Sequence, residues 1–138
     1  MRAILIEVPR GIEHDLTELA MLHENEIKVG RNSSSHIKLP ECFGNISRSH
    51  ASLIFLNDNF MFVDNSTNGS YIIRERSIVP IHMYVKRLQT GDEIYLGGKQ
   101  PREGVYGPLR FGMREDKDLT QARMNSGEIT QSQLYPYP

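Results

Sequence analysis

The chain has no tryptophan and a single cysteine, Cys42. One thiol excludes an internal disulfide and any zinc site built from several cysteines. Cys42 reads as a small, half-buried residue rather than a reactive nucleophile. A cytoplasmic, reducing setting is the default expectation, with the nucleus open if the source is eukaryotic. Neither sign of charge dominates: 16 Lys+Arg stand against 17 Asp+Glu, a net charge of −1. Nonspecific nucleic-acid binding needs a basic excess, and so does a polybasic membrane anchor, so neither partner is expected. No apolar run approaches the ~20 residues of a membrane-spanning helix. The first residues, MRAILIEVPRG, are too short in apolar run for a signal peptide and carry no small-residue cleavage site. The sequons at Asn32, Asn45, Asn65 and Asn68 therefore read as loop chemistry. His14, His23, His36 and His82 lack metal-ligand spacing, and no metal or cofactor is expected.

What is present is a succession of short strands. Residues 2–8 (RAILIEV) are β-branched and apolar and end at Pro9. Residues 14–25 stay ambiguous: Leu16, Leu19 and Leu22 fit a short helix, while Ala20 and Leu22 alternate like a strand. Strands are expected at 26–29, 37–39, 51–56, 60–64, 70–73, 78–81, 83–85, 93–96 and 109–112. Asn57-Asp58-Asn59 is a hairpin turn of residues that tolerate positive φ. Phe55, Phe60 and Phe62 belong to core or hairpin packing. About nine or ten short strands with polar turns and no long helix spell an all-β antiparallel sandwich. The pattern stops near Arg114.

Three polar loops concentrate hydrogen-bond donors: Gly30-Arg31 followed by Asn32 and three serines, Ser47-Arg48-Ser49-His50, and Ser66-Thr67-Asn68-Gly69. Residues 31–50 set Arg31, Lys38 and Arg48 against Glu41 alone, a positive patch in a neutral protein. Such a patch suits a small anionic ligand rather than a long polyanion. On a sandwich, loops at one end can converge. Converged, they offer a guanidinium fork, hydroxyls and backbone N–H groups, a set that suits phosphate. Arg31 alone would be an ordinary solvated loop cation, and Ser33, Ser34 and Ser35 read as loop filler. Gly97-Gly98-Lys99 is not a Walker loop, because Glu93 stands where the first loop glycine belongs.

These loops resemble those of the forkhead-associated (FHA) domain, a phosphothreonine-peptide binding module. The resemblance rests on VGR at 29–31, ISRSHA at 46–51 and DNSTNGSYI at 64–72, with LQTGDEIYLG at 88–97 similar to the family's closing strands. It is specific as a set, and no single piece would carry it. It implies an FHA-like antiparallel β-sandwich of about 10–11 short strands with the binding loops at one end.

The resemblance also implies roles. Arg31 would grip the phosphate, Ser47 would bind another phosphate oxygen, and Arg48 occupies a variable position that often reaches the phosphate or the peptide. Thr67 would line the pocket for the phosphothreonine methyl and touch the phosphate. Asn68 would clamp the peptide backbone just after the phosphorylated residue. Asn45 would read the third residue after it, and Asn32 is a further specificity candidate. Gly30 and Gly69 are turn glycines, and His50 braces the loops without touching ligand. Two departures from the family pattern stand out. Arg74-Glu75-Arg76-Ser77 replaces the usual Asn-Gly turn, and 97–108 (GGKQPREGVYGP) is a long insertion before the last strand.

The expectation is an FHA domain over 1–114 and a flexible C-terminal tail over 115–138. Its function would be phosphothreonine-dependent protein–protein interaction in kinase-linked signalling, with a threonine-phosphorylated protein as partner and no catalysis of its own. The alternative is a phosphate-independent FHA-like scaffold or self-associating adaptor, using the apolar stretch 78–85 (IVPIHMYV) if exposed. The tail threonines Thr120 and Thr130 are candidate ligands for the domain's own site if phosphorylated. The oligomeric state stays open.

Overall fold

A computed structural model describes residues 2–115. Among these, eleven strands and one short helix follow in chain order: β1 Arg2–Val8, β2 Ile12–Asp15, α1 Leu16–Leu22, β3 Glu26–Gly30, β4 Ile37–Lys38, β5 Ala51–Leu56, β6 Asn59–Asp64, β7 Ser70–Arg74, β8 Ser77–Ile81, β9 Val85–Arg87, β10 Glu93–Leu96 and β11 Tyr106–Glu115. One sheet has the order β2-β1-β11-β10-β7-β8 and the other β4-β3-β5-β6-β9. The expected tail, with Thr120 and Thr130, lies outside the described residues apart from Glu115.

Alternation sets which side chains face between the sheets. In β6, Phe60, Phe62 and Asp64 point inward and are buried, while Met61 and Val63 are half-buried. In β3, Ile27 and Val29 are buried between exposed Glu26 and Lys28. The core gathers Ile6, Leu53, Ile72, Ile94 and Leu109 from both sheets, with Phe60 and Phe111 in edge-on contact. Asp64 keeps the inward parity of β6, so a carboxylate arrives where phenylalanines precede it.

The ambiguous stretch at 14–25 resolves as β2 followed by α1, and β2 itself was not expected. Asp15 caps the helix by accepting the Glu18 N–H at 3.1 Å. Such a cap stabilises by about 1 kcal/mol. Leu16 and Ala20 are buried and Leu19 half-buried, whereas Leu22 is exposed. The face is therefore i, i+3, i+4, and Leu22 falls off it.

Four more expectations are corrected. Not every pair is antiparallel: β3 and β4 run parallel, Val29 opposite Ile37. Only two residues pair, so a short loop folded on itself suffices to bring the chain round. The strand expected at 83–85 begins instead at Val85, because Met83 has φ +56 and turns the chain. The last strand spans Tyr106–Glu115 rather than 109–112, paired along β1 from Glu7 opposite Arg110 to Arg2 opposite Glu115. Cys42 is exposed, not half-buried, in the loop between β4 and β5.

The hairpin turns follow their residues. Asn57 and Asp58 take φ +52 and +64 between β5 and β6, as a two-residue turn requires. Glu75 and Arg76 adopt the same left-handed pair between β7 and β8, at +51 and +68. The missing Asn-Gly thus leaves the hairpin intact. Arg74, at its base, donates from Nε and Nη2 to the two carboxylate oxygens of Asp92 at 2.8 and 2.7 Å.

Candidate functional site

Loops 31–36, 39–50 and 65–69 meet at one end of the sandwich, and backbone bonds join them. The Asn32 N–H donates to the Arg48 carbonyl at 3.0 Å, and the His50 N–H donates to the Val29 carbonyl at 3.0 Å. The Asn65 N–H donates to the His50 carbonyl at 2.9 Å, and the Thr67 N–H to the Ser47 hydroxyl oxygen at 3.0 Å. Gly30 permits this approach. A Cβ there would clash with the Arg48 carbonyl oxygen and stand 2.8 Å from the Arg48 carbonyl carbon. Its φ is not left-handed, so close approach alone demands glycine.

Arg31 is held by one edge. Its Nε donates to the Ile46 carbonyl at 2.6 Å, which fixes the plane of the guanidinium. No carboxylate among the described residues forms an ion pair with it, so its two terminal nitrogens remain available to an outside anion. The local field is positive. The exposed Glu41 carboxyl is held below its usual range chiefly by a hydrogen bond from Lys38, with Arg31 and Arg48 adding smaller attractions.

Ser47 is oriented from two sides. Its backbone N–H donates to His50 Nδ1 at 2.9 Å, and its hydroxyl oxygen accepts from Thr67. The hydroxyl proton is left to donate to a ligand. His50 is fully buried, and burial pushes its pKa below the ordinary value despite the attraction of Asp64 and a backbone bond to Gly69. A neutral ring is what the geometry uses. Nδ1 accepts, so the proton sits on Nε2, facing the Gly69 carbonyl at 3.2 Å and the Ser70 hydroxyl at 2.9 Å.

Behind His50 lies a network that the residue pattern did not single out. Asp64 accepts from the hydroxyls of Ser66 and Ser70, each at 2.8 Å, and from the N–H groups of Ser66 and Met83 at 3.3 and 2.8 Å. Ser66 Oγ in turn accepts the Gly69 N–H at 2.8 Å. The signal was available: an inward-parity aspartate followed by serines demands internal partners. His82 closes the far side, its Nε2 donating to the Ser66 carbonyl at 3.1 Å.

The other expected residues divide. Asn68 Nδ2 donates to the Asn45 carbonyl at 3.0 Å, leaving its Oδ1 and a second N–H for a peptide backbone. Thr67 is exposed beside it. Asn45 is half-buried, with its side chain against Gly97 and Gly104 of the β10–β11 loop. Asn32 is drawn inward to its own loop, its Oδ1 accepting the Ser34 N–H at 3.4 Å. Arg48 contributes its carbonyl to the loop junction, and its side chain is exposed. Gly69 has φ +91, and its carbonyl also accepts the N–H groups of Gly97 and Gly98. In the 78–85 stretch Ile81 is buried, while Ile78, Met83, Tyr84 and Val85 are exposed. Among the described residues no group of three His, Cys, Asp or Glu could hold a metal ion, and no helix is long and apolar enough to cross a membrane.

A family model for the FHA domain matches residues 27–97, just over half of the chain. The chain belongs to the FHA family. Solved FHA domains share its sandwich. That of an Arabidopsis thaliana hypothetical protein superposes with a TM-score of 0.60 at 18% identity, over 83% of this chain and 88% of that one. The N-terminal FHA domain of S. cerevisiae Rad53p, solved with a phosphothreonine peptide, gives 0.59 at 18% identity, over 87% and 98%. An FHA domain solved in work on phosphothreonine-dependent FHA interactions gives 0.59 at 21% identity, over 82% and 98%. No curated protein sequence matches. The FHA sandwich fold is thus the common ground, and the loop residues are this chain's own.

Proposed function

We propose that this FHA domain binds threonine-phosphorylated peptides, and so acts as an interaction module downstream of a Ser/Thr kinase. The observation that carries the reading is Arg31: its guanidinium is fixed at one edge by the Ile46 carbonyl and unpaired with acid, and its backbone N–H joins the loop of Ser47, whose hydroxyl is oriented by the N–H of exposed Thr67. Arg31 and Ser47 would hold the phosphate, with Arg48 as an exposed cation at the rim. Asn68 would hold the peptide backbone. The FHA family match and the Rad53p FHA domain solved with a phosphothreonine peptide support the phosphopeptide reading.

The domain supplies no catalysis in this reading. His50, Ser70 and Asp64 touch one another, but Ser70 is fully buried and donates its hydroxyl proton to Asp64 rather than to His50. A nucleophile needs a base to take that proton and a substrate within reach.

The test is calorimetric titration of a phosphothreonine peptide into wild type and Arg31→Ala. Removing one partner of a desolvated charge pair costs roughly 2–5 kcal/mol. Binding within threefold of wild type in Arg31→Ala would remove the proposal. The exposed Ile78, Met83, Tyr84 and Val85 favour a second reading, self-association through the β8–β9 edge. A concentration-dependent dimer lost in Tyr84→Ser, with no response to phosphopeptide, is its signature.

A further inference from the structure

Two histidine rings stack at the foot of the loop that carries Arg31. His23 caps the C-terminus of α1, and His36 leads into β4. Their ring centroids lie 3.7 Å apart, with the planes 12° from parallel, and both residues are half-buried. His23 is itself held: its N–H donates to the Leu19 carbonyl at 3.0 Å, and its carbonyl accepts the Glu26 N–H at 3.1 Å. The stack therefore ties loop 31–36 to the turn between α1 and β3.

The same ring makes a second tie. The Lys28 N–H donates to His36 Nδ1 at 2.9 Å, and the His36 N–H donates to the Lys28 carbonyl at 2.9 Å. These bonds extend the two-residue β3–β4 pair by one position. An Nδ1 that accepts is unprotonated, so the ring is neutral with its proton on Nε2. Protonation would set an Nδ1–H against the Lys28 N–H, donor against donor, and that bond would be lost. The surroundings oppose the proton as well. Burial first, then the charges of His23 and Lys28, hold the His36 pKa below the ordinary value. Glu26 pulls the other way, but its carboxylate already accepts the Ser52 hydroxyl at 3.1 Å.

His36 closes the loop that Arg31 opens. Between them the Ser35 N–H donates to the Asn32 carbonyl at 2.9 Å, and the Asn32 N–H donates to the Arg48 carbonyl at 3.0 Å. A loop released at His36 keeps the Arg48 junction but loses its anchor on β3 and α1.

We infer that the His23–His36 stack is a pH-sensitive latch on the recognition loop. It is closed while His36 is neutral and opens when that ring takes a proton, loosening the loop of Arg31 and weakening phosphopeptide binding. The effect on the ligand rests on the phosphopeptide reading above, and the latch itself does not. Linkage fixes the window: an unfolded histidine protonates near about 6.5, so the closed latch is favoured above that pH and lost as pH falls below it.

The experiment begins with the full chain and no ligand. Nitrogen NMR follows the His36 ring from about pH 7.5 to 5, and amide exchange, corrected for its intrinsic pH dependence, follows Lys28. Protection of the Lys28 amide falls as His36 protonates. Calorimetry with a phosphothreonine peptide then compares wild type with His36→Asn, whose amide oxygen can accept near the place of Nδ1 and does not titrate. The two bind within about twofold at neutral pH, and on acidification wild type loses about threefold more, the size of one net hydrogen bond. Both share the second phosphate ionisation near about pH 6 and the buried His50, so the difference belongs to His36. His23→Phe keeps a ring in the stack, removes one positive charge and offers its face to a cation, so opening moves to higher pH. That shift separates a latch from a packing contact, and it decides the matter if His36→Asn fails to fold. Lys28 protection that persists while His36 protonates, equal losses in wild type and His36→Asn, or an opening pH unmoved in His23→Phe would each overturn the inference. If the peptide does not bind wild type at neutral pH, the phosphopeptide reading has failed, and the ligand-free titration still decides the latch.

Discussion

Gly30 stands where the Arg48 carbonyl leaves no room for a side chain. A Cβ at Gly30 would overlap that oxygen and come within 3.0 Å of the His50 backbone nitrogen. The contact is backbone on both sides, so no side chain can swing away. Gly30→Ala must push loop 46–50 outward, and with it Ser47.

Gly30→Ala is expected to cost about 1–3 kcal/mol of stability, the usual range for overpacking. Because the displaced loop carries Ser47, phosphopeptide affinity should fall further than the stability loss explains. Urea denaturation and calorimetry on the same variant separate the two. A variant as stable as wild type, with unchanged affinity, would show that the loops can part freely.

The buried His50 ties stability to pH. It is neutral when folded, with its pKa lowered by burial, while an unfolded histidine protonates near 6.5. Below that value the unfolded chain binds more protons, so stability held above about pH 6.5 is lost as pH falls. His14 and His36 are shifted the same way by burial and add to the slope. Urea midpoints from pH 7.5 to 5.5 should fall, and His50→Gln should flatten the fall while lowering stability throughout. A midpoint that rises on acidification contradicts the neutral ring.

Asp64→Ala strips four donors of their acceptor at once: the N–H groups of Ser66 and Met83, and the hydroxyls of Ser66 and Ser70. Each buried orphan costs roughly 1–3 kcal/mol, so the expected loss is at least about 3 kcal/mol. Chemical denaturation measures it. A loss under about 1 kcal/mol would mean that water replaces the carboxylate.

Phosphothreonine should bind better than phosphoserine. One buried methyl is worth ~0.8 kcal/mol, about fourfold. Thr67, exposed beside Ser47, is placed to line that methyl's pocket. Equal affinities for matched peptides would mean that the methyl stays in water.

Much of this could be read in the residues. The alternation of Phe60 and Phe62, the Asn57-Asp58 turn and the three polar loops are local patterns, and local patterns survive folding. What escaped the reading is non-local. The β2 strand, IEHD, has no apolar alternation and exists because β1 offers it an edge. Met83 turns the chain at positive φ because Asp64, nineteen residues earlier, accepts its N–H. The parallel β3–β4 pair depends on a loop closing on itself. Arg31 could be named from its motif, but its Nε contact with Ile46 depends on how two loops meet. The Asp64 network was legible in principle, since Asp64 falls two and four residues after Phe62 and Phe60 in one strand, but its four donors come from three different segments.

The length of β11 measures the molecule. Tyr106 pairs with Leu96 at the end that carries the loops, and Glu115 pairs with Arg2 at the other. Nine steps of about 3.3 Å put roughly 30 Å between those ends. A fully stretched chain gains at most about 3.6 Å per residue, so Thr120, five residues beyond Glu115, reaches no more than about 18 Å back. A phosphate on Thr120 is too short a leash for its own domain and can engage only a neighbouring molecule. Thr130, with about 54 Å of contour, can reach either. Both ends of the described residues, Arg2 and Glu115, pair with each other at the side away from the loops, so only a connection longer than about the height of the sandwich can return to the ligand.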